Sequence, residues 1–389
     1  MKNNITKIYV LFILLYAIPA FSLDTGIFAV VSPVSSSGNR PMLWSNRESD
    51  HHIQLYFFHG RHYDFIGVIE NNDTSRVFMG MNTAGLALVY TNAFDQNSDS
   101  STDNGKFTKS ALGSCGKIDD VRELLQTYNT NANFGCFDGY GLCAVFETGP
   151  GVLKKYDTDD STEAPDGFLV RANFSFSGSK DIPGTSWRYH RVCELLRGAV
   201  QSHNLDDKYI IQHIARDLKS PDMAPYPLPC EQKFGNAPKG FVKTDASINQ
   251  YRTVAGAVFQ GVSKQNNVAP AFLWIIPGEP LCGVAVPLWP QCSNIPKELT
   301  GKSISNMSQL VSEKHNSIYH KKKWPVYLDS KLYARGKNSV LSTILRTENE
   351  IYSDTKKFTK SFQTKTVKFK DIEKFQKKMV YKAIKILRK

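Results

Sequence analysis

No Cys-x-x-Cys pair occurs anywhere in the 389 residues, which excludes a zinc ribbon and a thioredoxin-like redox site. No segment repeats, so a solenoid or propeller is excluded. No RNA- or DNA-binding motif is present. The first 300 residues also lack any basic excess, with 26 Lys+Arg against 29 Asp+Glu. The formal charge of +12 arises wholly in residues 301–389, where 22 Lys+Arg face 7 Asp+Glu. The overall charge therefore says nothing about the chemistry of the body. What the chain has in quantity is core material. At 41% hydrophobic and 12% aromatic it is neither disordered nor collagen-like. Its length suits two or three units, or one large domain with an appendage.

The N-terminus reads as a targeting segment. Lys2 and Lys7 flank a polar start, and Ile8 to Phe21 is an almost unbroken apolar run. Ala20 and Ser22 supply small residues at a cleavage site, and the run is short for a membrane span. A removed secretory signal over residues 1–22 is expected, and an uncleaved anchor is the other reading. Export would permit disulfides among the seven cysteines, at 115, 136, 143, 193, 230, 282 and 292, with at least one thiol left over. Cys282 and Cys292 would close a short loop. The expected organisation is a signal peptide at 1–22, a body at 23–300 and a basic, mainly helical extension at 301–389.

Within the body, period-two alternation or apolar runs bounded by turn residues predict strands. They cover 27–34, 52–59, 65–70, 77–81, 86–92, 134–137, 142–147, 167–174, 254–262 and 271–277. Helical spacing is present at Ile118, Val121, Leu125 and Tyr128, from Trp187 to Val200, and from Ile210 to Leu218. Strands linked as hairpins and interrupted by few helices predict an α+β chain of antiparallel sheets covered by helices. The proline-rich stretch 220–239 predicts one long irregular loop.

Five segments then line up in order. Gly38 to Glu48 (GNRPMLWSNRE) resembles a "GRPLLWKNRD" pattern, and Met79 to Ala87 a "MGxNxxGLA" turn. Asn133 to Asp138, with Glu147 and Thr148, resembles "NFGVxDxxGxxxxxET". Gly167 to Phe174 resembles "GxxVRTNF", and Trp187-Arg188-Tyr189 the opening of the next helix. These patterns are those of the N-terminal-nucleophile amidases related to isopenicillin N acyltransferase and choloylglycine hydrolase. The resemblance spans residues 26–290. It implies a four-layer αββα sandwich of antiparallel sheets and cleavage or transfer of linear amide acyl groups, with no metal or organic cofactor. In such enzymes the first residue of the mature chain is the nucleophile and its α-amine the base.

The chain departs from the pattern where it matters most. Counting back from Glu48 puts Gly26 where the family has cysteine, and glycine has no nucleophile. Thr25 stands one residue earlier and is a competent N-terminal nucleophile if the chain is cut after Asp24. A one-residue shift on a strand changes faces, and the other reading of Thr25 is a polar residue ahead of a strand. Cys136 and Cys143 cannot present a terminal amine and read as core thiols. The resemblance assigns Asn173 as an oxyanion donor, a role worth about 3 kcal/mol. It assigns Asn92 as a second donor through its backbone, and Glu48 as the carboxylate that orients nucleophile and amine. Arg47 and Arg188 match basic positions that hold that carboxylate or the substrate, or else form structural ion pairs. Asn173-Phe174-Ser175 is also a glycosylation sequon, discounted because the resemblance turns Asn173 into a cleft. Asn82 reads as a turn former. His51, His52, His59 and His62 read as a solvated hairpin, since nothing supplies further metal ligands.

The extension shows helical spacing at Leu341, Ile344, Leu345 and Ile351, and a second stripe at Ile372, Phe375, Met379, Ala383 and Ile386. Such a stripe packs on the body or on a second copy of the chain, or lies on an anionic membrane surface. Nucleic acid is not an expected partner. The function expected is an exported hydrolase or N-acyltransferase acting on a small amide or N-acyl substrate. The alternatives are a catalytically inactive homologue that binds such a ligand, and a surface-tethered interaction protein.

Overall fold

The computed structural model of the chain describes residues 25–95, 102–178, 186–221, 228–229, 233, 237–263, 269–320, 327–364 and 366–389. The expected signal peptide and most of the proline-rich loop lie outside these residues. The strands of the first half are β1 (Thr25–Val31), β2 (Met42–Glu48), β3 (Ile53–Phe58), β4 (Phe65–Glu70), β5 (Met79–Asn82) and β6 (Ala87–Asn92). Then come β7 (Ala132–Phe137), β8 (Cys143–Gly149), β9 (Val152–Asp157), β10 (Phe168–Arg171), β11 (Phe241–Lys243) and β12 (Thr253–Gln260). The last are β13 (Phe272–Pro277), β14 (Val286–Leu288) and β15 (Tyr327–Asp329). The helices are α1 (Asn104–Ser114), α2 (Ile118–Leu125), α3 (Ser186–Gln201) and a short α4 (Asp207–Tyr209) that runs into a π-turn at Ile210–Ile214. The C-terminal part adds α5 (Asn306–Ile318), α6 (Ser330–Ala334), α7 (Val340–Thr364) and α8 (Phe369–Leu387).

Two antiparallel sheets carry the fold. One has six strands in the order β10-β1-β2-β12-β13-β14, and the other has seven, β3 to β9 in chain order. They stack face to face. Phe28 and Val30 of β1 reach across to β7, where a Cβ on Gly135 would lie 2.5 Å from the Phe28 ring. Glycine there lets a large side chain fill the space between the sheets. On the outer face of the seven-stranded sheet, Phe107, Leu112, Ile118, Val121 and Leu125 of α1 and α2 join Phe65, Leu88, Phe134 and Phe146 in one core. α2 begins as its sequence requires, since the Asp120 carboxylate accepts from the backbone N–H of Gly116 and Lys117. The other core combines the space between the sheets with the outer face of the six-stranded sheet. There Val192 and Leu196 of α3, Ile210 and Ile214 of the π-turn, and residues of α5, α7 and α8 pack on the strands. The layers run α, β, β, α, as the hairpin-linked strands and the resemblance predicted.

The C-terminal helices share that core. Ile372, Met379, Val380, Ala383, Ile384 and Leu387 of α8 are each at most 4% exposed. Gln376 accepts the Trp289 backbone N–H at 2.7 Å. Phe358 of α7 stacks on Phe375 of α8 at 4.1 Å between centroids. α7 is fixed to the body by a buried pair in which Arg216 donates to both Glu348 oxygens, at 2.7 and 2.9 Å. No helix among the described residues is long and apolar enough to cross a membrane.

Candidate functional site

The site expected from sequence lies where β1 begins. There the backbone of Thr25 stands opposite Glu48 of β2, and Gly26 opposite Arg47. A Cβ on Gly26 would point to Thr91 of β6, 3.5 Å from its Oγ1, and would come within 3.1 Å of the Asn46 carbonyl. Thr91 Oγ1 donates to the Gly26 carbonyl at 2.9 Å. Asn173, just beyond β10, donates through Nδ2 to Thr91 Oγ1 at 3.0 Å and to the Asn92 carbonyl at 3.2 Å. Its Oδ1 accepts from Arg188 of α3 at 2.7 Å, and Arg188 Nη1 lies 3.0 Å from Glu48 Oε1. One chain of polar contacts thus runs Glu48, Arg188, Asn173, Thr91, Gly26. Asn92 touches it at the Asn173 amide.

Burial gives this chain its weight. Glu48 is 0% exposed, Asn173 and Thr91 1% each, and Arg188 6%. A carboxylate and a guanidinium removed from water hold one another, because losing either leaves a buried charge without its counterion. The arrangement also answers the glycosylation question. Both ends of the Asn173 amide are occupied inside the fold, so the sequon offers no accessible acceptor.

Asn173 is held from behind by residues that sequence reasoning passed over. Asn133 of β7 donates to the carbonyls of Ala172 and Phe174, at 3.2 and 2.8 Å, gripping the backbone on both sides of it. Its Oδ1 accepts from Ser175 Oγ at 2.8 Å. Glu147 of β8 pairs with Arg171 and accepts the backbone N–H of Phe176 and Ser177, at 2.9 and 2.8 Å. Burial raises the Glu147 carboxyl, but Arg171 and these donors outweigh it and leave it below the ordinary value. Asp95 accepts the Ser175 N–H at 2.8 Å, and burial raises its carboxyl. Asn133 and Glu147 stood inside a quoted segment. Their spacing alone gave no sign that they reach over to the loop that presents Asn173. Thr91, the link to Gly26, carried no signal beyond its place at a strand end.

Arg47 does not join the group. Neighbours on a strand alternate faces, so Arg47 points away from Glu48. Its Nε donates to Glu70 Oε1 at 3.0 Å, and its guanidinium lies 3.8 Å from the centroid of the Phe78 ring. The pair is buried between the sheets. Asn82 is the turn former expected, accepting the Leu86 N–H at 3.0 Å. It also donates to the carbonyls of Leu112 and Cys115 at the end of α1. Cys136 and Cys143 are buried strand thiols whose ionisation burial pushes well up. Six cysteines among the described residues are free thiols, Cys282 and Cys292 included, and Cys230 lies outside them. His59 pairs with Asp64 at 3.2 Å on an exposed turn. No group of three or more His, Cys, Asp or Glu among the described residues could hold a metal ion.

No family model matches the chain. No curated protein matches it. Among solved structures it is similar to a variant of conjugated bile acid hydrolase from Clostridium perfringens. That pair shares 12% identity at a TM-score of 0.40, over 64% of this chain and 89% of that one. It is similar to the Caenorhabditis elegans ortholog of N-acylethanolamine-hydrolyzing acid amidase, at 13% identity and a TM-score of 0.39, over 60% and 91%. It is also similar to penicillin V acylase from Agrobacterium tumefaciens, at 12% identity and a TM-score of 0.40, over 68% and 85%.

Proposed function

We propose that the chain is an amide hydrolase or N-acyltransferase that works through Thr25 once the residues up to Asp24 are removed. One observation carries this reading. The backbone of Thr25 is paired with Glu48, in a strand end where Glu48, Arg188, Asn173 and Asn92 are already linked. A chain beginning at Thr25 gains a free α-amine beside a buried carboxylate that Arg188 holds in position.

The chemistry then follows from the residue types. Thr25 Oγ1 attacks the amide carbonyl carbon, and the α-amine accepts the hydroxyl proton. The oxygen gains negative charge, which the Asn173 side-chain N–H stabilises. In the resting arrangement both Asn173 N–H bonds go to Thr91 Oγ1 and the Asn92 carbonyl, so one must turn to the substrate. Collapse breaks the C–N bond, and the departing amine takes the proton back from the α-ammonium. The acyl ester on Thr25 passes to water or to an amine, and the hydroxyl is restored. The substrate class is a small linear amide or N-acyl compound. Export belongs to the same proposal, because removal of residues 1–22 leaves only Leu23 and Asp24 ahead of Thr25.

A second reading has its own support. Gly26 occupies the family's nucleophile position, and the polar chain behind it is satisfied without a substrate. This favours a non-catalytic relative that binds an amide or acyl ligand. The test releases the chain with Thr25 as its first residue, alongside a Thr25→Ala version, and follows hydrolysis of N-acyl amides. Turnover confined to the Thr25 form supports acyl transfer. Equal rates in the two reject it. Ligand retention without turnover in both supports the second reading.

A further inference from the structure

The apolar stripe of α8 is covered by the body, and this decides what its other face can do. Residues spaced by three or four along the helix share one side. Lys370, Lys374, Lys377, Lys378, Tyr381, Lys385 and Arg388 follow that spacing, and all are exposed. The stripe is about 27 Å long at 1.5 Å per residue. Its one prominent apolar feature is Tyr381, 68% exposed, and Phe369 stands 66% exposed at the helix start. Lys356, Lys357 and Lys360 of the neighbouring α7 are exposed as well. Of the acids nearby, Glu373 pairs with Lys377 of the stripe at 2.8 Å and Asp354 with Lys382 beside it at 2.8 Å, while exposed Asp371 accepts the Lys368 N–H at 3.1 Å at the helix start.

We infer that the outward face of α8 is a docking surface for the anionic headgroups of a lipid bilayer, contacted edge-on without insertion of the helix. The geometry separates this from the other anionic partners. Reading base edges in a major groove draws chiefly on bidentate side chains such as Arg, Asn and Gln. α8 is packed along its length by Ile372, Gln376, Met379, Ala383 and Leu387 and presents only one side. A line of cations on one side suits a flat charged plane. The cations are nearly all lysine, which acts as a point charge rather than as the bidentate fork that arginine uses to read bases or phosphates. An exposed tyrosine set among lysines matches the headgroup level of a membrane interface. Because the apolar stripe is not available, the contact is electrostatic, and salt must weaken it.

The test uses the full chain and vesicles of equal parts phosphatidylcholine and phosphatidylglycerol, sedimented at low and high salt. At about 1 kcal/mol per lysine near the surface, the K370Q/K374Q/K378Q/K385Q variant binds at least about a hundredfold more weakly at low salt. High salt releases the unaltered chain, and vesicles of phosphatidylcholine alone do not retain it. A K106Q/K109Q/K117Q/R122Q variant removes the same charge around α1 and α2, which cover the other sheet, and keeps its binding. Three results would overturn the inference. They are equal losses in the two variants, retention that ignores salt, and binding to a DNA duplex or an acidic protein in preference to the anionic vesicles. If the fourfold variant fails to fold, the single variants K374Q and K378Q decide the matter, each expected to weaken low-salt binding about fivefold, with no change in either overturning the inference.

Discussion

Removing the Glu348 carboxylate should detach α7 from the body, and the cost can be worked from its partners. Glu348 is 0% exposed and Arg216 4%. Glu348 Oε1 accepts from Arg216 Nη2 and from the Ala285 backbone N–H, both at 2.7 Å, and Oε2 accepts from Arg216 Nη1 at 2.9 Å. Arg216 also donates to the carbonyls of Pro280 at 2.7 Å and of Ile211 and Gly283 at 3.0 Å. Glu348→Ala therefore leaves a buried cation solvated by carbonyl dipoles alone, and the Ala285 N–H without its acceptor. Breaking a buried pair on one side costs about 3–5 kcal/mol, and we expect about 4. Replacing both partners by apolar residues, as in R216M/E348L, removes the desolvation penalty with the attraction. That variant should recover part of the loss but stay below the parent, because the Ala285 N–H and the carbonyls of Pro280, Ile211 and Gly283 still lose these partners. Urea unfolding followed by tryptophan fluorescence suits the comparison, since urea leaves ionic strength unchanged. A loss below about 1 kcal/mol for Glu348→Ala, or a double variant no better than the single, would refute this account of how α7 is held.

Three further substitutions probe other parts of the fold. Asp207, partly buried beside Trp274, is raised to about 6, chiefly by burial and by Asp206, while the Trp274 N–H at 2.6 Å and Arg40 pull the other way. A folded value above the ordinary 3.8 means that ionised Asp207 opposes folding, so stability is intact below about pH 4 and declines as pH rises towards 6. Allowing for partial exposure, the decline is about 2 kcal/mol. Asp207→Asn should abolish it, and parallel stability–pH curves for variant and parent would contradict the assignment. Gly26→Ala meets the Asn46 carbonyl at 3.1 Å and Thr91 Oγ1 at 3.5 Å, and should change stability by less than about 1 kcal/mol. Gly135→Ala sets a methyl 2.5 Å from the Phe28 ring and should cost about 3 kcal/mol. Equal urea midpoints for the two glycine variants would show that the intersheet contact is misjudged.

The layer architecture was legible because most strands bury one pattern of apolar residues between turn signals. Phe65–Glu70 was read to the residue. β2 was not read as a strand, and the reason is physical. All seven of its residues are buried, and the polar ones go to both faces, Asn46 and Glu48 to one side and Ser45 and Arg47 to the other. Buried polar partners erase the alternation that marks a half-exposed strand. The same burial hid the split between Arg47 and Glu48, adjacent in sequence but facing opposite layers. Asn133 and Glu147 support Asn173 through contacts that span some 30 to 40 positions in sequence, which no local spacing encodes. The basic stripe of α8 was visible as composition. Which side of that helix remains open followed only from its packing.

The account stands or falls on the first residue of the mature protein. Intact mass, with terminal sequencing, should show a chain that begins at Thr25, its α-amine free beside Glu48. A mature chain that begins at Leu23, or that retains Asp24 in its active form, would contradict Thr25 as the nucleophile.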